Sequence, residues 1–358
     1  MVLETSKWNM QSLYDKLLAS EEFYPFIVVT NFMKTENRQS YNHILNFYKE
    51  ISENVEIGWD EKSNRGIDLR NFSPDIVFYQ QPWGSFENQD VLYVSEFALT
   101  YSISYAIEDP YDVVSDLMTH FYCLLTKYFV FSNYTKEYLE ANAPYVLKNI
   151  DVTGHPKLET FNNYRSENYL HNYVIYAPHH SFAHSILRYG TFPWSGKYIL
   201  DWAKKHPDIK WVFKPHPRLK IALIEENIMS QSEVDAYYQE WSEIGLCYDD
   251  GNYFDIFKNS RCMITDSGSF LMEYLPTQMP IIHLRNNDSK GFSPTVSKIV
   301  DFYYKAYDRE ELNALLDNVI IKGEDLMKEK RCKLINELGL INNSSSKNII
   351  NEWRNLLV

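Results

Sequence analysis

The sequence predicts an α/β protein with mainly parallel sheets, divided into two domains. Short apolar runs typical of buried strands alternate with helical patterns over most of the chain, and this alternation favours βαβ units. A length of 358 residues exceeds the size at which a single core keeps growing. The polar stretch 162–172 is typical of an interdomain linker. We expect an N-terminal domain over 1–165, a C-terminal domain over 166–340, and a helix over 341–358 that can pack back across both.

The predicted strands are short runs rich in Val, Ile, Phe and Tyr. In the first half they cover 26–30, 75–79, 91–94, 127–131 and 150–153. In the second half they cover 173–177, 210–213, 246–248, 262–265 and 280–284. Helical patterns lie at 8–18, 37–50, 112–125, 134–141, 195–205, 233–244, 269–275, 309–319 and 346–357. Because ligands of open parallel sheets bind beyond the carboxyl ends of the strands, the residues just after each strand are the candidates for function.

Composition and charge exclude several classes of function. A net charge of −13 argues against a partner held through nucleic-acid phosphates, and against adhesion to an anionic membrane. The four cysteines form no C-x-x-C pair, so we expect free thiols in a reducing compartment. Residues 1–11 lack the pattern of a signal peptide, and no apolar run approaches the length that spans a bilayer. We expect a cytoplasmic protein with at most peripheral association with the inner face of the membrane.

The first candidate site is the turn Asp266-Ser267-Gly268-Ser269, which follows a predicted strand and opens a helix. The free amides of such a helix N-terminus attract phosphate, and the serine hydroxyls can add hydrogen bonds. Glu273, one turn further on, could accept hydrogen bonds from ribose hydroxyls. The same pattern fits a simple helix cap, in which Asp266 or Ser267 bonds to the helix amides and Glu273 completes a capping box. The turn alone leaves both interpretations open.

The second candidate is the segment Lys214-Pro215-His216-Pro217-Arg218, which ends another predicted strand. Pro217 suits the first position of a helix, so His216 lies where strand gives way to helix. A histidine there can donate to a phosphate or act as an acid or base near neutral pH. Lys214 and Arg218 add positive charge. The alternative is a loop histidine among solvated cations.

A third strand end carries His179, His180 and Ser181. Two adjacent histidines raise the question of a metal ion, but neighbouring side chains rarely point at one ion. No carboxylate lies close in sequence, and the chain has no H-x-x-E-H or D-x-D pattern. We therefore expect hydrogen bonds to the substrate at this strand end, with no metal and no other cofactor.

In the first half, the candidates for the acceptor side are Gln81, Trp83, Gly84 and His155, which follow the strands at 75–79 and 150–153. They offer an amide, an indole, a tight turn and an imidazole. A Trp in a loop more often covers a core than binds a ligand, and His155 could equally cap the linker. The sequence leaves these alternatives open.

Together these motifs resemble the CDP-glycerol glycerophosphotransferase family, which includes the teichoic-acid polymerases and many capsule-locus transferases. The pieces that match, in the right order within roughly 75–285, are Thr153–Lys157, Tyr176–Pro178, Lys214–Pro217 and Ile264–Tyr274. The last piece is also similar to the D-S-G-G…E turn of UDP-N-acetylglucosamine 2-epimerases. The resemblance implies a GT-B fold of two facing Rossmann-like domains with a cleft between them.

The resemblance also implies a transferase of surface-polysaccharide biosynthesis. Such an enzyme moves a polyol phosphate from a CDP-activated donor, here expected to be CDP-glycerol, to a hydroxyl of a glycan or lipid-linked acceptor, and releases CMP. Residues 266–273 would bind the donor with Ser181 and Arg218, while His216 and Lys214 would assist departure of the nucleotide. Two alternatives stay open: a glycosyltransferase that uses a nucleotide sugar, and a non-catalytic nucleotide-binding subunit of a capsule complex.

One departure from the family concerns the catalytic base. The polymerases carry Trp-His-Gly after the corresponding first-half strand, and that histidine is a candidate for the base. This chain has Pro82-Trp83-Gly84-Ser85 instead, without a histidine. The candidates for the base are then Glu87, His155, His179 and His180, unless the reaction differs.

Overall fold

The computed structural model describes residues 2–3, 8–31, 38–82, 86–108, 120–143, 149–164, 173–248, 253–341 and 344–357. The chain divides into two compact units, Met1–Asn162 together with Asn342–Val358, and Asn163–Ile341. Each unit is built on a parallel sheet connected by helices. The predicted class, α/β with mainly parallel sheets, is confirmed.

The first unit contains a seven-stranded parallel sheet and one small hairpin. Its strands are β1 (Val2–Leu3), β2 (Ile27–Val29), β3 (Val55–Ile57), β4 (Trp59–Asp60), β5 (Arg65–Gly66), β6 (Ile76–Tyr79), β7 (Leu99–Ile103), β8 (Lys127–Val130) and β9 (Ile150–Val152). The sheet order is β3-β2-β1-β6-β7-β8-β9, while β4 and β5 pair with each other in antiparallel fashion. The chain builds outward from β1 to β3 and then restarts at β6 on the other side of β1. The space between β1 and β6 is therefore a topological switch point, where open sheets bind ligands.

The second unit contains a six-stranded parallel sheet. Its strands are β10 (Tyr173–Ala177), β11 (Lys210–Phe213), β12 (Gly245–Cys247), β13 (Ser260–Thr265), β14 (Ile281–Leu284) and β15 (Tyr304–Ala306). Their order, β12-β11-β10-β13-β14-β15, is the 3-2-1-4-5-6 order of dinucleotide-binding sheets. The central strands are buried on both faces because helices cover each side, which explains their continuous apolar sequence. The switch point of this unit lies between β10 and β13.

The helices largely follow the predicted periodicity. They are α1 (Gln11–Leu18), α2 (Arg38–Ile51), α3 (Val91–Val94), α4 (His120–Leu124), α5 (Asn133–Asn142), α6 (Pro156–Asn163), α7 (Phe192–Lys205), α8 (Leu219–Glu225), α9 (Gln231–Ile244), α10 (Phe254–Lys258), α11 (Gly268–Glu273), α12 (Pro294–Val300), α13 (Arg309–Leu315), α14 (Lys328–Glu337) and α15 (Ser345–Leu357). A capping box of Ser230 and Glu233 starts α9. From that helix Trp241 stacks on Phe213 of β11, with ring centroids 5.0 Å apart. None of the helices formed by the described residues has both the length and the apolar character that crossing a bilayer requires.

The C-terminal helix α15 belongs to the first unit. Its apolar face places Ile349, Ile350 and Trp353 in the same buried cluster as Phe78 and Tyr101 of the sheet. The Trp353 ring lies 5.6 Å from the Tyr101 ring and 6.1 Å from the Phe78 ring. The last residues of the chain thus complete the core of the unit in which the chain begins.

One strand prediction in the first unit is wrong, and the strands β1, β3 and β7 of its sheet were not predicted. The run 91–94 is a helical turn, α3, because the Asp90 side chain accepts a hydrogen bond from Leu92 N at 2.9 Å and caps it. The strand β7 was not predicted, because Thr100 and Ser102 interrupt its apolar pattern. Both hydroxyls are buried and donate to backbone carbonyls, which makes polar residues acceptable in a central strand. Most of the helix predicted at 112–125 lies outside the described residues.

Replacing Trp353 with Ala should destabilise the first unit. The truncation removes a buried ring from an aromatic cluster, which typically costs about 3–5 kcal/mol in the free energy of unfolding. Urea denaturation followed by circular dichroism measures this loss. The exposed Asn355→Ala on the same helix is the control and should change stability by less than about 0.5 kcal/mol. Equal stability of the two variants would contradict the placement of α15 in this core.

Candidate functional site

Three loops meet at the switch point of the second unit, after β10, β11 and β13. The carbonyl of Pro178 accepts a hydrogen bond from His216 N at 3.0 Å, which joins the β10 loop (178–182) to the β11 loop. On the other side, Thr265 Oγ1 donates to the carbonyl of Ala177 at 2.7 Å. These bonds continue the sheet beyond its strands and bring the sequence-predicted residues of all three loops together.

His179, His180 and His216 form a histidine cluster in which one ring nitrogen of each lies within 4.8 Å of the others. The rings of His180 and His216 are stacked with centroids 3.9 Å apart. Burial lowers the pKa of His179 well below its ordinary value, and the neighbouring histidines act in the same direction. The pKa of His180 is also lowered, first by burial and then by the charge of Arg218. His179 and His180 are therefore neutral at pH 7.

Backbone contacts fix which nitrogen carries the proton in two of these rings. Nδ1 of His179 accepts from Ser181 N at 3.2 Å, and Nδ1 of His216 accepts from Arg218 N at 3.1 Å. Because a backbone N–H can only donate, each Nδ1 holds a lone pair and the proton of the neutral ring lies on Nε2. His179 and His216 thus present Nε2–H donors, the group that an anionic oxygen requires.

The same contacts make the histidine cluster a poor fit for a metal ion. A histidine that binds a metal through Nε2 normally donates its Nδ1 proton to a carbonyl or carboxylate. Here the partner of Nδ1 is a backbone N–H, so metal binding would set two donors face to face at both His179 and His216. This chemistry supports the expectation of a site without a metal, which stays a prediction.

Asp266 connects the loops from inside the unit. Its carboxylate is 1% exposed and accepts hydrogen bonds from the backbone N–H of His179 at 2.6 Å and of Thr191 at 2.6 Å, and from Thr191 Oγ1 at 2.8 Å. Burial raises its pKa to about 6, while these hydrogen bonds act in the opposite direction. We expected Asp266 to contact the donor. Both of its oxygens are instead bonded by the chain itself, so it positions the β10 loop and the start of α7.

The turn that follows Asp266 does not form the side-chain cap that was one interpretation of its sequence. Within the described residues, Ser267 makes no side-chain hydrogen bond to the amides of α11. Its own N–H donates to Thr265 Oγ1 at 3.0 Å, and its hydroxyl lies 3.5 Å from that of Ser269. Contact of Ser267, Gly268 and Ser269 with a donor phosphate stays a prediction.

Lys214 and Glu273 both lie near Tyr253 and are each 5% exposed. The Lys214 amine is 5.2 Å from the ring centre of Tyr253, 5.4 Å from that of Tyr248 and 5.8 Å from that of Phe270. Ring faces stabilise a partly desolvated ammonium by about 0.5–2 kcal/mol. The Tyr253 hydroxyl donates to Glu273. This contact orients the carboxylate that we expected to bind ribose, and it does not fit the capping box.

Two further predicted donor contacts occupy different surroundings. Arg218 is exposed and its guanidinium lies 3.8 Å from Glu225, so it contributes charge at the rim. Ser181 is buried, with Oγ 2.8 Å from His179 Nδ1 and accepting from Tyr189 N at 3.0 Å. Ser181 therefore holds the His179 ring in place and offers little surface to a ligand.

The candidate residues of the first unit differ in burial and in secondary structure. Gln81 is the second residue after β6 and is buried, whereas Glu87 is exposed on a short 3-10 turn. Trp83 and Gly84 lie outside the described residues. Gln81 is thus the described candidate whose side chain lies at the carboxyl edge of a central strand.

His155 has a structural role. Its ring is fully buried, Nδ1 accepts from Lys157 N at 3.1 Å, and Nε2 lies 3.0 Å from the carbonyl of Ser104. Both ring nitrogens are engaged by the backbone of the same unit. His155 therefore has no ring nitrogen left for an acceptor hydroxyl, which removes it from the candidates for the base.

Several solved structures share this fold at low sequence identity. UDP-GlcNAc 2-epimerase from Neisseria meningitidis, bound to UDP-GlcNAc, aligns with a TM-score of 0.59 and 14% identity, covering 97% of this chain and 96% of that one. An S. aureus MnaA–UDP structure aligns with a TM-score of 0.60 and 14% identity, covering 99% and 95%. The wall teichoic acid polymerase TagF aligns with a TM-score of 0.61 and 12% identity, covering 98% and 86%. The chain has a GT-B fold.

At these identities the likeness shows the fold alone. No family model matches the sequence, and no curated protein matches it at a significant level. The expected fold is confirmed, while the donor and the reaction rest on the residues of the site.

Sequence reasoning missed two residues that organise the site, Thr191 and Tyr253. Thr191 lies 75 positions before Asp266, and no local pattern links the two. One signal was present: Pro193 marks the first turn of α7, so Thr191 could have been identified as the residue just before a helix. No comparable sequence pattern predicts the contact of Tyr253 with Glu273.

The raised pKa of Asp266 predicts a particular dependence of stability on pH. With a folded pKa of about 6, against about 3.9 for an unperturbed Asp, the folded protein binds more protons than the unfolded chain between roughly pH 4 and 6. The contribution of Asp266 to the free energy of unfolding is therefore greatest below pH 4 and decreases by about 3 kcal/mol as the pH rises through 6. Urea denaturation of the wild type and Asp266→Asn between pH 4 and 7 measures it. The difference between the two proteins should change over this window, and a constant difference would contradict the raised pKa.

Proposed function

We propose that this chain is a transferase of surface-polysaccharide biosynthesis that uses a nucleotide-activated donor. The donor is a CDP-polyol, CDP-glycerol in the first instance, and the polyol phosphate passes to a hydroxyl of a glycan or lipid-linked acceptor with release of CMP. The observation that carries the proposal is the histidine cluster at the switch point of the second unit, in which Nδ1 of His179 and of His216 accepts from the backbone and leaves Nε2 as the donor. The fold shared with TagF, a wall teichoic acid polymerase, is consistent with it.

The chemistry of the site suits a diphosphate. Phosphate oxygens accept hydrogen bonds and cannot donate at neutral pH, so they need N–H and O–H donors. The site offers Nε2–H of His179 and His216, and the Ser267 and Ser269 hydroxyls lie at the start of α11. Arg218 at the rim adds positive charge in a chain whose net charge is −13. This donor set would bind the pyrophosphate without a cation from solution.

The reaction follows from that arrangement. The acceptor hydroxyl oxygen attacks the β-phosphorus, the bond from that phosphorus to the oxygen of CMP breaks, and the hydroxyl proton passes to a general base. Negative charge grows on the oxygen that leaves with CMP. His216 Nε2–H donates to that oxygen, and preorganised donors of this kind usually contribute most to phosphoryl-type transfer.

A thermal-shift and product assay tests the proposed donor. The full chain is incubated with CMP, CDP-glycerol, CDP-ribitol, UDP-GlcNAc and a GDP-sugar. A ligand present at a hundred times its dissociation constant adds about 2.7 kcal/mol to stability, so the correct donor should raise the unfolding midpoint measurably. CDP-glycerol should give the largest shift, and incubation with an acceptor extract should release CMP.

The same assay separates the alternatives. A shift with UDP-GlcNAc, the ligand of the N. meningitidis structure, and formation of a glycosidic bond would favour a glycosyltransferase. Binding of a donor without any product would favour a non-catalytic subunit. Release of UDP-N-acetylmannosamine from UDP-GlcNAc would favour an epimerase.

His216→Ala should lower turnover by about 100- to 1,000-fold, because it removes one donor aimed at the developing charge. The unfolding midpoint should change little, since the ring is only partly buried. His206→Ala is the matched control. His206 follows α7 in the same unit and stacks on Trp202 at 3.9 Å, at the opposite edge of the sheet. Equal turnover of His216→Ala and wild type would overturn the role assigned to His216.

A further inference from the structure

The first unit contains a cavity of about 350 Å³ at the amino edge of its sheet. The residues that line it belong to the amino ends of β2 and β6, to the segments just before these strands, and to α1 and α15. Small-molecule sites typically have volumes of about 300–1,000 Å³. The cavity is therefore large enough for a small ligand, and it lies at the opposite edge of the sheet from the strand ends considered above.

The register of the sheet explains why a cavity forms at this place. Strand β1 lies between β2 and β6, and its residue Val2 is opposite Val28 on one side and Tyr79 on the other. Within the described residues, no strand separates the start of β2 from Ile76–Phe78 of β6. Because neighbouring strands lie about 4.8 Å apart, a gap of one strand leaves roughly 9–10 Å between β2 and β6.

Side chains from both faces of the sheet line this cavity. Val28 and Val77 belong to the core cluster on one face, whereas Phe78 and Trp353 belong to the cluster on the other face. Successive residues of a strand point to opposite faces, which is why Val77 and Phe78 fall in different clusters. A cavity bordered by both clusters reaches into the layer of the sheet itself, as the gap between β2 and β6 allows.

The cavity has an apolar interior and an acidic mouth. In the interior, Phe78 and Trp353 are buried. At the mouth, Tyr24 is 79% exposed, and Glu22 and Asp75 are exposed as well. No lysine, arginine or histidine is among the described residues that line the cavity. This distribution suits a ligand with an apolar group at one end and a positive charge at the other.

The two carboxylates at the mouth differ in their partners. Glu22 accepts from Nε of Arg354 at 2.6 Å, an ion pair that joins α15 to the segment before β2. The side chain of Asp75 makes neither a hydrogen bond nor an ion pair with the described residues. Asp75 therefore leaves one negative charge at the mouth that the protein does not compensate locally.

Aromatic rings continue from the mouth along the wall of the cavity. The ring centroids of Tyr24 and Phe26 are 6.5 Å apart, and those of Phe26 and Phe72 are 5.8 Å apart. The face of an aromatic ring attracts a cation because its quadrupole is negative there. Rings and an uncompensated carboxylate in one mouth favour a positively charged group over a neutral or a negative one.

We propose that this cavity binds a small organic amine, protonated or quaternary, that carries an apolar group. The apolar group fills the interior beside Phe78 and Trp353, and the positive group lies at the mouth near Asp75 and the Tyr24 ring. An anionic ligand would meet the charge of Asp75 in a chain whose net charge is −13. The site goes beyond the proposed function, because none of the residues assigned to the reaction lines the cavity.

A series of probes that differ only in charge tests the proposal on the full chain. Phenylbutylamine, phenylbutanol and phenylbutanoate share one apolar group and carry a positive, a neutral and a negative head. NMR titration gives the three dissociation constants. The amine should bind about tenfold more tightly than the alcohol, because it gains the carboxylate and the ring faces. The carboxylate probe should bind most weakly, and the preference for the amine should decrease at high salt.

Asp75→Asn removes the charge and keeps the size of the side chain. It should weaken binding of phenylbutylamine by about fivefold and leave binding of phenylbutanol unchanged. The matched control is Glu53→Gln, which removes one negative charge from an exposed residue of the same unit outside the cavity. This control should leave all three dissociation constants unchanged. Both variants should keep the wild-type unfolding midpoint, because both positions are exposed.

Each outcome decides one part of the proposal. A preference for the amine in the wild type and in Glu53→Gln, reduced in Asp75→Asn, supports it. Equal binding of amine and alcohol to the wild type, or tightest binding of phenylbutanoate, overturns the assignment of a cationic ligand. Absence of binding by all three probes overturns the site. An unchanged preference in Asp75→Asn overturns the role of this carboxylate.

Discussion

The arrangement of the second unit depends on one buried carboxylate. Asp266 lies beyond the end of β13 and is bonded by the backbone of His179 and by Thr191, residues that are 87 and 75 positions away in sequence. Removing a carboxylate from water costs several kcal/mol, and only well-placed donors offset that cost. The carboxylate therefore requires the β10 loop and the start of α7 to be where they are. That requirement fixes the backbone of His179, and with Ser181 it fixes the ring.

The sequence predicted the strands that position the site better than the hydrogen bonds within it. Strands β10, β11 and β13 are continuous apolar runs buried on both faces, so their ends, and hence His179, His216 and Ser267, could be located from the sequence. Strand β7 was not predicted because its buried hydroxyl residues interrupt the apolar pattern. The run 91–94 was predicted as a strand because four apolar residues fit a strand as well as a helical turn. The side chain of Asp90 caps the run and favours the helical turn.

Roles could not be predicted where they depend on distant partners. Asp266 has the sequence context of a helix cap, and only contacts across 75 and 87 positions reveal that it positions two loops. His155 has the sequence context of a strand-end ligand, and only Ser104, 51 positions away, shows that its ring is occupied. By contrast the tautomer of His216 depends on the backbone N–H of Arg218, only two positions away. Such a short-range contact is easier to predict from the sequence.

The two units share a topology but differ in what their switch points offer. Each sheet builds outward from a first strand and restarts on its other side, which leaves a break in the coverage of the sheet. In the second unit the imidazoles of His179, His180 and His216 lie at that break. In the first unit it carries amides that need donors as well as acceptors. The two switch points therefore share a topology and differ in a few side chains at the strand ends.

Helix α15 has a consequence for the order in which the protein can be completed during synthesis. The first unit contains the first 162 residues and also 342–358, so the whole second unit is encoded between the two parts of the first. The second unit can reach its final contacts while the ribosome is still translating. The first unit must wait, with the surface against which Trp353 packs uncovered, until the last segment emerges. The core of the first unit is therefore completed only after the second unit has been translated.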